Sequence, residues 1–166
     1  MAAGRSMTHL REGSGAEKTF ERSDAAPAAG HRVALRESTE EERATLGWEA
    51  GGSILTITRL DGPPPAGAIV FTIEGDTLTV LRMEIAPPLR GRGYGSEAVR
   101  LLERWAGKEK GLQRFEAIIP ADRGLALYFW LRLGYRPAAA AEAAWRRDGE
   151  QGTISVIRTA GQVSPP

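Results

Sequence analysis

Residues 85–99 read IAPPLRGRGYGSEAV, and the reading of this stretch decides the fold. Gly91, Gly93 and Gly95 alternate between Arg90, Arg92 and the start of an apolar run. Inside a helix each glycine costs about 1 kcal/mol relative to alanine, so helix stability is not their purpose. Pro87 and Pro88 have no N–H to donate and end the strand before them. Alternating glycines permit φ > 0 and turn successive backbone N–H groups inward. The helix opening near Tyr94 adds its own unpaired N–H groups and the positive end of its dipole. With two guanidinium groups the stretch makes an anion site, most naturally for phosphate. It is not a Walker A loop, which needs G-x-x-x-x-G-K-[ST]. Nor is it the G-x-G-x-x-G dinucleotide fingerprint, because it reads G-x-G-x-G with no parallel βαβ unit ahead of it.

Working outward, "GAIVFTI-EGDT-LTVLRMEIA" before the loop reads as a β-hairpin turning at Gly75-Asp76. After the loop, Ala98, Leu101, Leu102 and Trp105 fall at i, i+3, i+4, i+7 and predict an amphipathic helix ending at Gly107 or Gly111. "QRFEAIIPA" (113–121) is a strand. "DRGLALYFWLRLGY" is a second helix with Ala126, Phe129, Trp130 and Leu133 on one stripe. "GTISVIRTA" is a last strand, and "AAAAEAAWRR" reads as a further helical turn or two. Upstream, "RVALRE" (32–37) is a strand. Ser38/Glu41 and Thr39/Glu42 are overlapping capping boxes for a helix over 40–49, stopped by Gly51-Gly52. "SILTITRL" is another strand. The order is strand, helix, three strands, helix, strand, helix, strand: a mixed α/β domain over 32–160. Residues 1–31 read as a disordered tail, with "EKTFERS" as a segment that docks on the body if any does, and 161–166 as a frayed end.

Composition excludes several chemistries. The chain has 166 residues, no cysteine, and two histidines, His9 and His31, both in the N-terminal segment. From residue 32 onward, Ser-His and Cys-His nucleophiles and Cys- or His-ligated metals are absent, and no metal is expected. A formal net charge of +1 argues against a broad nucleic-acid or membrane footprint. No apolar run reaches the ~18 residues of a membrane span, and no secretory h-region is seen, so a cytoplasmic protein is expected.

The loop resembles the acyl-CoA pyrophosphate loop of the GNAT superfamily of N-acetyltransferases. That motif reads R/Q-x-x-G-x-G/A after a strand ending V-x-P. Ile85, Pro87, Arg90, Gly93 and Gly95 fall on it. The second helix resembles the family's N-x-x-A-x-x-x-Y-x-x-x-G-F pattern, with Ala126 in the alanine position and Gly134-Tyr135 at the end. The likeness covers roughly residues 65–158. It implies a GNAT-like α/β (α+β) fold, a centrally splayed sheet of six to seven strands flanked by helices. Only one helix fits between the first two strands, where the family usually has two.

The resemblance further implies that Met83 and Ile85 offer strand backbone to the pantetheine arm. It implies that the amides of Arg90, Gly91, Arg92, Gly93, Tyr94 and Gly95, with Ser96, cradle the pyrophosphate. Arg123, Ala126 and Trp130 are the second-helix positions carried over to the coenzyme. The thioester lies between the strands 77–86 and 113–120. Two positions differ: the asparagine slot holds Arg123, with Asp122 beside it, and the tyrosine slot holds Trp130, whose indole N–H is a donor but no acid. Tyr128 is the nearby hydroxyl, about 200° away around the helix.

A lysine-like amine is only about 0.1% neutral near pH 7.4, so a base is useful. The position some members use for a glutamate holds Ile118. Glu116, two residues back on the same strand face, and Glu84, on the strand entering the loop, are the candidates. Approximation alone is worth up to about 7–11 kcal/mol, and backbone N–H groups stabilise an oxyanion. The expected function is transfer of an acetyl group from acetyl-CoA to the primary amine of a small molecule or peptide, by direct attack in a ternary complex. The run Glu40–Glu42 either attracts a cationic amine or completes a helix N-terminus. A homodimer is open as a partner state. Two alternatives stand: a non-catalytic or regulatory acyl-CoA-binding module, and a nucleic-acid contact through "RGRGYG".

Overall fold

A two-residue hairpin turn needs left-handed backbone, and Gly75 supplies it at φ +60°. It joins β3 (Gly67–Glu74) to β4 (Thr77–Ile85), as the sequence predicts. The computed structural model describes residues 29–48, 51–138 and 152–161. "EKTFERS" and all of "AAAAEAAWRR" but Ala138 lie outside the described residues. β1 (Val33–Glu37) and β2 (Ser53–Arg59) complete an antiparallel meander with β3 and β4. β5 (Arg114–Pro120) runs parallel to β4, and β7 (Thr153–Thr159) and a two-residue β6 (Arg136–Pro137) extend the sheet. The seven strands lie in the order β1-β2-β3-β4-β5-β7-β6. A parallel neighbour needs a crossover, and α2 (Tyr94–Lys110) provides it.

Alternation assigns the sheet two faces. One carries Leu55, Ile57, Ile69, Phe71, Leu78, Val80, Phe115, Ala117 and Ile119, packed against Ala98, Leu101, Leu102 and Trp105 of α2. The predicted helical stripe is therefore the core stripe. Burying each of its large side chains stabilises by about 1.5–3 kcal/mol. α2 ends at Gly111, left-handed at φ +68°. The other face carries Ile54, Ala68 and Val70, packed with Leu46 and Trp48. Leu46 ends α1 (Glu40–Leu46), and Trp48 follows it.

α1 corrects two details of the sequence reading. The helix stops at Gly47, left-handed at φ +59°, and not at Gly51-Gly52. Of the two overlapping capping boxes only Thr39/Glu42 forms. Ser38 is buried instead and shares a 2.8 Å hydrogen bond with Thr56 of β2. Glu42 also accepts from Arg36 and Thr56, and the Arg36 hydrogen bonds hold its carboxyl down at about 2.

The register of β3 on β4 shifts between Val70 and Phe71. Phe71 pairs with Val80 and Val70 with Arg82, so Leu81 is a bulge. In unbroken alternation from Val80, Arg82 and Glu84 would enter the main core. The extra residue transposes them. Met83 and Ile85 now pack toward α2, and Arg82 and Glu84 face the α1 side.

Glu103 of α2 ties the helix to the C-terminal edge of the sheet. Its carboxylate accepts from the Tyr135 hydroxyl and from Arg158 Nη1 of β7, each at 2.8 Å. Tyr135 follows α3 (Gly124–Arg132), so one carboxylate joins α2, the end of α3 and β7. Ala29–His31, just before the expected domain boundary, are joined to the body: Ala29 bridges Ala34, and the His31 and Arg32 N–H groups donate to Glu97. Among the described residues no helix is long and apolar enough to cross a membrane.

Candidate functional site

The glycine stretch is a short 3-10 turn, Pro87–Leu89, followed by an open loop and the first turn of α2. Leu89 is buried and anchors the turn. Gly91 and Gly93 take φ +76° and +85°, the conformations for which glycine is needed. Gly93 is the N-cap of α2 and supplies no side-chain cap. The first-turn N–H groups of Tyr94, Gly95 and Ser96 therefore point out of the helix end uncapped. A Cβ on Gly95 would stand 3.4 Å from Ile85 and Met83 and 3.6 Å from Phe129, so the first turn of α2 lies against the end of β4 and against α3.

The loop's side chains divide into two groups. Arg90 folds back and its Nε donates to the Ile85 carbonyl at 2.8 Å. Tyr94 is buried, and its hydroxyl donates to Asp61 at 3.0 Å. Arg59 pairs with Asp61 at 2.8 Å and, with Tyr94, keeps its carboxyl at about 2. The Arg92 carbonyl accepts from Arg32 Nη1 at 2.8 Å, while its exposed side chain lines a surface pocket of about 340 Å³ with His31, Arg32, Leu60 and Asp61. The loop is thus fixed at both edges, and the Arg90 N–H is held by the Pro87 carbonyl at 3.3 Å.

β4 and β5 pair only from Thr77↔Arg114 to Val80↔Ala117. Beyond that rung β5 continues with β7, up to Pro120↔Thr153, and β4 with β3, up to Ile85↔Gly67. The two strands part, and the inner edge of β4 from Leu81 to Ile85 has no strand partner. The loop sits at the open end of this cleft. Leu81 and Ile118 are exposed apolar side chains just beyond the closed end.

Glu116 lies one residue before the closing rung, opposite Thr79, and accepts a hydrogen bond from Ser155 of β7. Glu84 is four residues beyond the closing Val80 on β4. It is 48% exposed and 3.5 Å from Arg82. The two candidate carboxylates face the same side of the sheet but stand at opposite ends of the cleft. Arg123 is exposed at the N-cap of α3, where its carbonyl accepts from the Ala126 and Leu127 N–H groups. Ala126 is half-buried against the main core. Trp130 is 5% exposed and packs edge-on to Tyr135 at 4.8 Å and Phe129 at 5.4 Å, so its ring sits in the core. Tyr128 is 58% exposed, under the Arg132 guanidinium at 5.9 Å. The ~200° separation read from the sequence is thus a division between core and solvent.

Several contributors were not found from sequence. The Leu81 bulge has no glycine or proline to signal it. Ser155 reaches Glu116 from a strand 39 residues away. Arg82 lies 4.5 Å over the Trp48 ring, a contact that only the sheet brings together. Among the described residues no three His, Cys, Asp or Glu side chains are grouped to hold a metal.

The model of the acetyltransferase (GNAT) family matches residues 20–135. A search of curated proteins finds no match. Solved structures share the fold. A GNAT-family acetyltransferase from Bacillus anthracis has a TM-score of 0.61 at 15% identity, with 79% of this chain and 96% of that one covered. One from Elizabethkingia anophelis, with acetyl-CoA bound, has a TM-score of 0.58 at 11% identity, covering 78% and 99%. Spermidine/spermine N-acetyltransferase SpeG from Vibrio cholerae has a TM-score of 0.57 at 9% identity, covering 77% and 92%.

Proposed function

The chain belongs to the acetyltransferase (GNAT) family, and on that premise we propose that it transfers an acetyl group from acetyl-CoA to a primary amine by direct attack in a ternary complex. The observation that carries this reading is the uncapped turn at residues 90–96, set beside a strand edge with no partner. The amides from Gly91 to Ser96 suit a pyrophosphate, and no Cβ at Gly91, Gly93 or Gly95 obstructs its approach. The edge of β4 without a strand partner offers Met83 backbone groups and the Ile85 N–H to an extended amide-containing arm, the Ile85 carbonyl being held by Arg90. The Elizabethkingia structure, with acetyl-CoA bound, supports the donor. The Vibrio enzyme, named for spermidine and spermine, supports an amine acceptor.

The reaction forms a C–N bond and breaks a thioester C–S bond. The amine gives up a proton and the thiolate takes one. Glu116 is the proposed proton acceptor, because it sits at the closed end of the cleft with Ser155 fixing its carboxylate. Unpaired β4 N–H groups supply the donors for the developing oxyanion. No histidine or cysteine follows residue 31, so a covalent acyl-enzyme on those side chains is ruled out. Trp130 contributes through packing rather than proton transfer. Acetyl-CoA should raise the melting temperature in proportion to RT ln(1 + [L]/Kd). No shift at millimolar acetyl-CoA or CoA refutes the reading.

The core position of Trp130 favours a second reading, an acyl-CoA-binding module without turnover. It requires a thermal shift with CoA but no thiol release with any amine.

A further inference from the structure

The acceptor side of the cleft carries an order of charges that narrows the substrate, given the acetyl-transfer reading above. α2 and the main core fill the face toward which Met83 and Ile85 pack, so an acceptor approaches from the α1 face. From the closed end outward, that face presents Glu116, then Arg82, then Glu84. Arg82 and Glu84, successive same-face residues of β4, stand roughly 6.5 Å apart, and Arg82 is three positions beyond Thr79, the residue opposite Glu116. Arg36, another cation on this side, is already held by Glu42.

Arg82 is the distinctive member. Its guanidinium lies 4.5 Å over the Trp48 ring, and its side chain is 57% exposed. Contact with the Trp48 ring holds the guanidinium in place while its exposed N–H donors remain accessible to a planar anion. Among the described residues it pairs with Glu84 at 3.5 Å, between two exposed groups, which is weak and replaceable. A polyamine entering this face would set a second ammonium against Arg82. An amine with a carboxylate a few bonds away meets Glu116 with its nitrogen and Arg82 with its carboxylate. We propose that the acceptor is a small amino acid and that Arg82, clamped on Trp48, selects it by its carboxylate.

The test uses the full-length protein with acetyl-CoA. Thiol release and product mass are followed for free amino acids, each matched with the amine lacking its carboxylate, such as lysine with cadaverine and phenylalanine with phenethylamine. Spermidine is added to the panel. A charge-assisted hydrogen bond of ordinary strength predicts a roughly ten- to hundredfold higher kcat/KM for the amino acid. R82M should bring that ratio close to one through the acceptor KM, leaving the acetyl-CoA KM unchanged. R82E should invert the preference toward cadaverine. Equal or better turnover of the matched amines, an R82M variant that keeps the ratio, or acetyl-CoA binding with no amino acid turned over each overturns the proposal. Calorimetry with acetyl-CoA alone separates the two levels: absence of binding defeats the acetyl-transfer reading, whereas binding with turnover of plain amines defeats only the acceptor assignment.

Discussion

Replacing Glu103 by alanine should uncouple α2 from Tyr135 and β7 energetically. The carboxylate is 13% exposed and accepts two hydrogen bonds, from Tyr135 and from Arg158. Without it the Tyr135 hydroxyl, on a residue 1% exposed, has lost its acceptor, while the 22% exposed Arg158 turns to water. An orphaned buried donor costs about 1–3 kcal/mol, and breaking a buried ion pair from one side about 3–5 kcal/mol. Partial exposure of Arg158 places the total near 3 kcal/mol, or about 6–12 °C in Tm for a domain of this size. Y135F alone should cost about 1 kcal/mol. In the E103A background it should cost nothing or stabilise, because the stranded hydroxyl is gone, giving a coupling of at least about 1 kcal/mol. Burial raises the Glu103 pKa even though Tyr135 and Arg158 oppose it, so the ionised form is held at a cost. E103Q should therefore be milder than E103A. The assay is urea unfolding of the four proteins of the cycle, with E103Q alongside. An E103A loss within about 0.5 kcal/mol, or a Y135F loss equal in both backgrounds, refutes the reasoning.

G93A places a Cβ at φ +85°, 3.3 Å from Arg32 Nη1. It should cost roughly 1–2 kcal/mol of stability and weaken acetyl-CoA at least about tenfold by calorimetry, since the amides around it must reorient. E116Q should lower kcat/KM by about 10²–10⁴-fold if Glu116 takes the amine proton. The same change at Glu84 should stay within about threefold, and the reverse ranking would reassign the base. Glu42 titrates near 2 when folded, below its ordinary 4.5, so it adds stability above pH 4.5 that is lost as pH falls through that window. E42Q should flatten the fall of the urea midpoint between about pH 5 and pH 2.5.

The sequence reveals what is local. The Gly75-Asp76 hairpin, the Gly93–Tyr94 helix start and the Ala98–Trp105 stripe are each written in a few adjacent residues. Two tertiary outcomes were hidden for the same reason. Ser38 and Thr39 are equivalent as caps in the sequence, and only Thr56, across β2, draws Ser38 away from the helix. Gly47 and the Gly51-Gly52 pair are equally able to stop α1, and packing of Leu46 and Trp48 on Val70 and its neighbours accompanies the earlier stop. The loop of the site was legible because its chemistry is backbone chemistry. The acceptor face was not. Trp48 meets Arg82, and Ser155 meets Glu116, only once the sheet is assembled.

The bulge at Leu81 has a consequence for how the strand tolerates change. Its side chain is exposed, so substitution there should be nearly silent for folding. Its deletion should be mild as well. Without it Arg82 would follow Val80 directly and still pair with Val70, so Arg82 and Glu84 would keep the α1 side and Met83 and Ile85 the core. At this position the fold absorbs a change of chain length as readily as a change of chemical identity. Removing a residue from β3 opposite it, where no extra residue is stored, would instead move every later side chain to the other face.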